Sequence, residues 1–113
     1  MTKPPLAGKT AFVTGGAGGI GGAGAEALVR DGAAALLMGR RADALEFTRK
    51  GILERCPGAT VAIHSGDAGK REDVVAALDA AWALQDRLDI VIPTVGGGAI
   101  RPLRSCFALA GWP

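Results

Sequence analysis

The sequence predicts an α/β fold built on a parallel sheet, and three observations carry that expectation. Short apolar runs of strand length alternate with longer segments of helical spacing. A glycine-rich stretch, "TGGAGGIGGAGAEA" from Thr14 to Ala27, lies between the first such run and a helix. "AAALLM", Ala33 to Met38, is apolar throughout, as a strand covered on both faces should be. Parallel neighbours cannot be joined by a tight turn, so strands that alternate with helices imply crossovers that lie on the faces of the sheet.

The elements follow in order. Met1 to Ala7 reads as a loose lead-in, and Thr10 to Val13 as the first strand, with Phe12 and Val13 suited to burial. The first helix runs through "AEALVRDGA" and is ended by Gly32. Ile20, Gly24, Ala27 and Leu28 fall at i, i+4, i+7 and i+8, which assigns them a narrow, small-residue face against the sheet. After the second strand, Ala33 to Met38, a second helix places Leu45, Ile52, Leu53 and Cys56 at helical spacing, and Pro57 and Gly58 stop it. Thr60 to Ser65 is the third strand. Arg71 to Leu88 is the third helix, with Val74, Val75, Leu78, Ala81 and Trp82 expected along one face. Glu72 stands where it would complete a cap box, but Gly69 at the cap position has no hydroxyl, so a weak cap is expected. Asp89 to Ile92 is the fourth strand, and Pro93 must end it or sit where no N–H is needed.

Composition limits the function classes. A chain of 113 residues accommodates one domain, and a compact chain of this size buries roughly 65% of its unfolded surface. Thirteen Lys and Arg against eleven Asp and Glu leave a net charge of +2, too small and too scattered for a nucleic-acid footprint. No segment approaches the ~20 apolar residues of a membrane span, and "MTKPPLAGKT" lacks the apolar stretch of a secretory signal, so a cytoplasmic location is expected. Cys56 and Cys106 match no metal spacing and read as reduced small hydrophobes.

In sheets of this kind ligands sit beyond the carboxyl ends of the strands. The first such place is the glycine loop. At a helix start, unpaired N–H groups and the helix dipole favour an anion, and glycine lets it approach the backbone. A pyrophosphate suits that description. "GKT" at Gly8, Lys9 and Thr10 looks like the end of a P-loop but precedes the strand, and Lys3 stands where that motif needs glycine.

"TGGAGGIG", Thr14 to Gly21, resembles the TGxxxGxG cofactor loop of the short-chain dehydrogenase/reductase superfamily, with Gly15, Gly19 and Gly21 at the matching places. The resemblance continues through "GRRADAL", "SGDA" and "LDIVIPTVGGG", over roughly residues 6 to 103. It implies a Rossmann-like three-layer αβα fold with strand order 3-2-1-4, an incomplete doubly wound sheet, in a cofactor domain of about residues 1 to 100 followed by a divergent tail, 101 to 113. The implied partner is a nicotinamide dinucleotide, and the implied chemistry is hydride transfer to or from a carbonyl, an alcohol or an activated double bond.

The resemblance also implies residue roles. Thr14, Gly15, Gly18, Gly19, Ile20 and Gly21 form the loop that cradles the pyrophosphate. At the second strand end Gly39 stands where an acidic residue would bind the ribose of NAD, and Arg40 follows it, as in members that prefer NADP. Arg41 would assist with the 2′-phosphate; the other reading of the two arginines is a solvated pair before a helix. A basic residue often found before the second loop glycine is replaced by Gly18. Asp67 matches the aspartate that meets the adenine amino group, with Ala68 beside the ring, or is an ordinary turn aspartate. His64, the one histidine, reads as packed or solvated rather than catalytic. At the fourth strand end, where most members carry Asn-Asn-Ala-Gly, this chain has Pro93, Thr94, Val95 and Gly96. Thr94 retains a hydroxyl near the asparagine position, and Gly96 permits close approach to a ribose.

The family's proton transfer uses a tyrosine and a lysine four residues later, with a serine that orients the substrate. The chain has no tyrosine, and Ser105 lacks the context of that serine, so this chain alone is expected to be inactive. "RPLRSCFALAGWP" begins like the next loop and helix of the family and then diverges, as a premature end or a shifted reading frame would produce. Without a fifth strand the fourth is an exposed edge, which predicts dimerisation, aggregation or partial disorder. A non-catalytic nucleotide-binding or interaction module and a non-functional truncated product are the alternatives.

Overall fold

A computed structural model describes residues 4–16 and 19–94. Four strands, β1 (Thr10–Thr14), β2 (Ala34–Gly39), β3 (Val61–Ser65) and β4 (Ile90–Pro93), alternate with three helices, α1 (Gly19–Arg30), α2 (Ala42–Arg55) and α3 (Arg71–Gln85). All strand pairs are parallel and the order is β3-β2-β1-β4, so the expected αβα architecture and strand order both hold. Element boundaries move by one residue from the sequence reading at most ends; α3 closes three residues sooner, at Asp86, which takes a left-handed conformation. No helix among the described residues is long and apolar enough to cross a membrane. Residues 101–113, including Cys106, lie outside the described residues.

Strand alternation builds two cores. Ala11, Val13, Ala35, Leu37 and Val61 face α1 and α2 and pack with Ala25, Val29, Leu45 and Ile52. Phe12, Leu36 and Met38 face α3 and pack with Ala77 and Ala81. The second strand is buried from Ala34 to Met38, as its unbroken apolar run requires. Cys56 is a free thiol beside the first core.

Two helix faces differ in part from expectation. In α1 the buried residues are Gly21, Ala25 and Val29, while Ile20 is 81% exposed and Ala27 is exposed. The inward face is thus rotated one residue on from Ile20, Gly24, Ala27 and Leu28, because glycine and alanine let the helix axis approach the sheet. Of that set, only Leu28 packs on the core, at its margin. In α3, Val74, Leu78 and Ala81 pack on the second core as expected and Ala77 is buried with them, whereas Val75 and Trp82 are exposed. Helix α2 buries Leu45 and Ile52, with Leu53 and Cys56 against the core, as its spacing indicated.

The end of the sheet opposite the carboxyl strand ends is closed by the lead-in. Leu6 N–H donates to Asp31 O at 2.8 Å, and Gly32, at φ +105°, turns the chain where a Cβ would lie 2.8 Å from Pro4 Cβ. Only glycine adopts that conformation without strain.

Candidate functional site

The carboxyl ends of the four strands lie side by side, so residues distant in sequence share one edge of the sheet. At the end of β1, Gly15 takes φ +70°, and a Cβ there would meet Thr94 Oγ1 at 2.6 Å and Thr94 O at 2.9 Å. Gly16 N–H donates to Met38 O at 3.1 Å, which folds the loop over β2. A Cβ on Gly21 would collide with Gly15 O and lie 2.8 Å from Thr94 Oγ1. Glycine is therefore required at 15 and 21 by packing within the protein.

Gly19 is different. It begins α1, and a Cβ on it would meet no atom of the described residues within 4 Å. Among those residues the helix start is open on that side, and its first-turn N–H groups have no partner within the helix. Ile20 is exposed beside it. Gly18 lies outside the described residues.

Thr94 ties β4 to the loop. Its hydroxyl donates to Thr14 O, and its N–H reaches Thr14 O at 3.3 Å and Thr14 Oγ1 at 3.2 Å. Pro93 is the last residue of β4, paired in register with Thr14, so the strand ends where proline can no longer supply a donor. Val95 and Gly96 lie outside the described residues.

At the end of β2, Arg40 and Arg41 are both exposed and each has a carboxylate partner. Arg40 Nη2 lies 3.4 Å from Asp67 Oδ1, and Arg41 Nη2 lies 3.0 Å from Asp43 Oδ2 in the first turn of α2. Arg41 is also the residue that precedes α2, with no side-chain cap. At the end of β3, Asp67 is held on three sides. Its N–H donates to Asp73 Oδ2 at 2.8 Å, and its Oδ1 accepts from Gly69 N–H at 2.8 Å as well as from Arg40. The Gly69 N–H, with Arg40 and Lys70 nearby, holds the Asp67 carboxyl below the usual carboxylate range. The residue before α3 is Lys70 rather than the expected Gly69, and no side chain caps it; Asp73 serves the turn instead of Glu72. Ala68 is half-buried in the turn after β3. His64 sits inside β3, half-buried and paired with Met38.

The structure thus brings Thr14, Gly15, Gly19, Ile20, Gly21, Arg40, Asp67, Ala68 and Thr94 to one edge, with Arg41 beside them. Sequence reasoning missed Asp73 and Asp43, whose partners are set by turn geometry. No group of three metal-ligating side chains occurs among the described residues.

Comparison with known proteins places the chain in a wider group. The short chain dehydrogenase family matches residues 9–108. Glycine betaine reductase ATRR of Emericella nidulans is 38% identical over 96 residues, which are 85% of this chain and 7% of that protein. Oxidoreductase asL5 of Sarocladium schorii is 34% identical over 98 residues, covering 87% of this chain and 37% of that one. Among solved structures, L-sorbose reductase from Gluconobacter frateurii, complexed with NADPH and L-sorbose, superposes with a TM-score of 0.77 at 27% identity, over 91% of this chain and 39% of that one. The chain therefore spans well under half the length of each of these relatives.

Proposed function

Because this chain belongs to the short chain dehydrogenase family, we propose that it is the dinucleotide-binding part of an oxidoreductase and that it takes NADP in preference to NAD. The observation that carries this reading is the sheet order β3-β2-β1-β4, which lines up Asp67, Arg40, Gly15 and Thr94 at successive strand ends. At about 4.8 Å between strands, that row spans roughly 14 Å, enough for the adenosine and pyrophosphate portion of a dinucleotide laid across the sheet.

The residues present suit such a ligand. Gly19 leaves an open approach to the start of α1, where N–H groups and the helix dipole would hold pyrophosphate, flanked by Thr14, Gly15, Gly18, Ile20 and Gly21. Arg40, assisted by Arg41, would bind the 2′-phosphate; Asp67 the adenine amino group, with Ala68 beside the ring; and Thr94, Val95 and Gly96 the nicotinamide ribose. L-sorbose reductase was solved with NADPH, which supports the choice of cofactor. A bound nicotinamide dinucleotide supplies or accepts hydride at a carbonyl, alcohol or activated double bond. This chain's own residues bind and orient it; the 113 residues contain no tyrosine, so a proton-transferring tyrosine hydroxyl is not among them.

The test is thermal unfolding with NADP, NAD or neither, since a ligand that binds only the folded state raises its stability. The reading expects a cooperative transition, raised more by NADP, with that preference lost in Arg40→Asp. A transition indifferent to both nucleotides refutes it.

A second reading, an interaction module that docks through β4, is favoured by the edge position of that strand among the described residues and by Val91, which is 54% exposed there. Protection of the β4 amides from hydrogen exchange as protein concentration rises would support self-association; no change would refute it.

A further inference from the structure

Building on the proposed dinucleotide site, we propose that Asp67 limits how strongly Arg40 recognises a 2′-phosphate, by presenting a firmly held carboxylate to the guanidinium that the phosphate must engage. The backbones of the two strand ends are fastened together. Gly66 N–H donates to Gly39 O at 2.8 Å, and Ser65 Oγ donates to Arg40 O at 3.1 Å. Asp67 is then pinned through its own N–H by Asp73 and through Oδ1 by Gly69. Its side chain is only 33% exposed, against 78% for Arg40. The carboxylate is the more firmly held partner and the guanidinium the more exposed one.

Arg40 Nη2 rests 3.4 Å from Asp67 Oδ1, so a group that binds the same guanidinium comes within reach of that oxygen. A phosphate dianion must either displace the carboxylate from Arg40 or share the guanidinium with it, and both sacrifice part of the existing ion pair. A ribose 2′-hydroxyl carries no charge and can donate to a carboxylate. Asp67 therefore penalises NADP and leaves NAD untouched or aided. Arg41 offsets the penalty only in part, because it is itself paired with Asp43 at 3.0 Å. Each arginine at this strand end is matched by its own carboxylate.

The substitution that isolates the effect is Asp67→Asn. The amide is nearly isosteric, and its Oδ1 still accepts from Gly69 N–H, so the turn is preserved. Any adenine contact of residue 67 is common to both dinucleotides and cancels in the ratio of their affinities. Titration calorimetry of the 113-residue chain with NADP and with NAD should give a NADP:NAD affinity ratio about two- to fivefold higher in Asp67→Asn than in the parent, the range expected for an exposed ion pair. In an Arg40→Ala background the same change should leave the ratio unaltered. A ratio that stays constant or falls in Asp67→Asn overturns the proposal, as does an equal rise in the Arg40→Ala background. If neither dinucleotide binds the parent chain, the underlying reading of the site fails, a result distinct from binding of both with an unmoved ratio.

Discussion

Gly21→Ala sets two effects of opposite sign against each other, and the structure decides between them. Alanine in a helix is favoured over glycine by about 0.8–1 kcal/mol. The new Cβ would collide with Gly15 O and come 2.8 Å from Thr94 Oγ1. Neither neighbour is the free end of a flexible side chain: one is loop backbone, and the other is a hydroxyl bonded to Thr14 O. Forcing atoms into contacts this close costs about 2–3 kcal/mol, the upper part of the overpacking range, and that estimate already includes local relaxation. A net loss of about 1–2 kcal/mol is expected, which corresponds to a fall in Tm of roughly 5–10 °C for a domain of this size. Gly19→Ala is the matched control, since its Cβ meets no atom of the described residues within 4 Å. It should unfold at the parent temperature or slightly above, yet lose most of the stabilisation by NADP, because the methyl group occupies the space open to pyrophosphate. Far-UV circular dichroism melts of both variants, with and without NADP, provide the assay. A Gly21→Ala chain as stable as the parent would refute the packing argument, and a Gly19→Ala chain with an undiminished NADP shift would refute the placement of the ligand.

Other expectations concern the frame around the site. Leu45→Ala removes a fully buried side chain from the first core and should lower the urea-unfolding free energy by about 2–5 kcal/mol. Thr94→Val deletes the hydroxyl bond to Thr14 O while retaining the volume, and should cost about 0.5–1.5 kcal/mol in the same assay and weaken NADP binding through the loosened loop. Asp89 accepts from Thr10 N–H at 2.9 Å and pairs with Arg87, which, with that N–H, holds its carboxyl below the usual range. A depressed carboxyl stabilises the fold above its unfolded value, near pH 4, and that contribution is lost as the pH falls through the folded value. Asp89→Ala should therefore be less stable than the parent at pH 7, with the difference shrinking below pH 4; coincident stabilities at neutral pH would contradict the role of this pair.

The strands and their parallel pairing were legible because the code for them is coarse, whereas their order followed from the family resemblance. "AAALLM" has the length and unbroken apolarity of a doubly covered strand, and its alternation with helices points to parallel pairing. The face of α1 and part of that of α3 were not legible, since hydropathy assigns weight to Ile20, Val75 and Trp82 and little to the glycine and alanines that make the closest approach. Small residues carry contact without carrying a hydrophobic signal. At the site, the glycine loop was readable from its spacing. The pairing of Arg40 with Asp67, 27 positions away, was not, because it depends on two strand ends lying in register. Nor could spacing distinguish Gly21, required by neighbours inside the protein, from Gly19, whose Cβ would meet none of the described residues.

The charged groups at the β2 and β3 ends are bonded chiefly to one another and to loop backbone, while the sheet is held by alanine, valine, leucine and methionine beneath them. Substitutions at Arg40, Arg41, Asp43 or Asp67 leave both cores untouched. On the proposed reading of the site, the choice between dinucleotides therefore rests on residues that the two cores do not need, so it can change while the scaffold stays as it is.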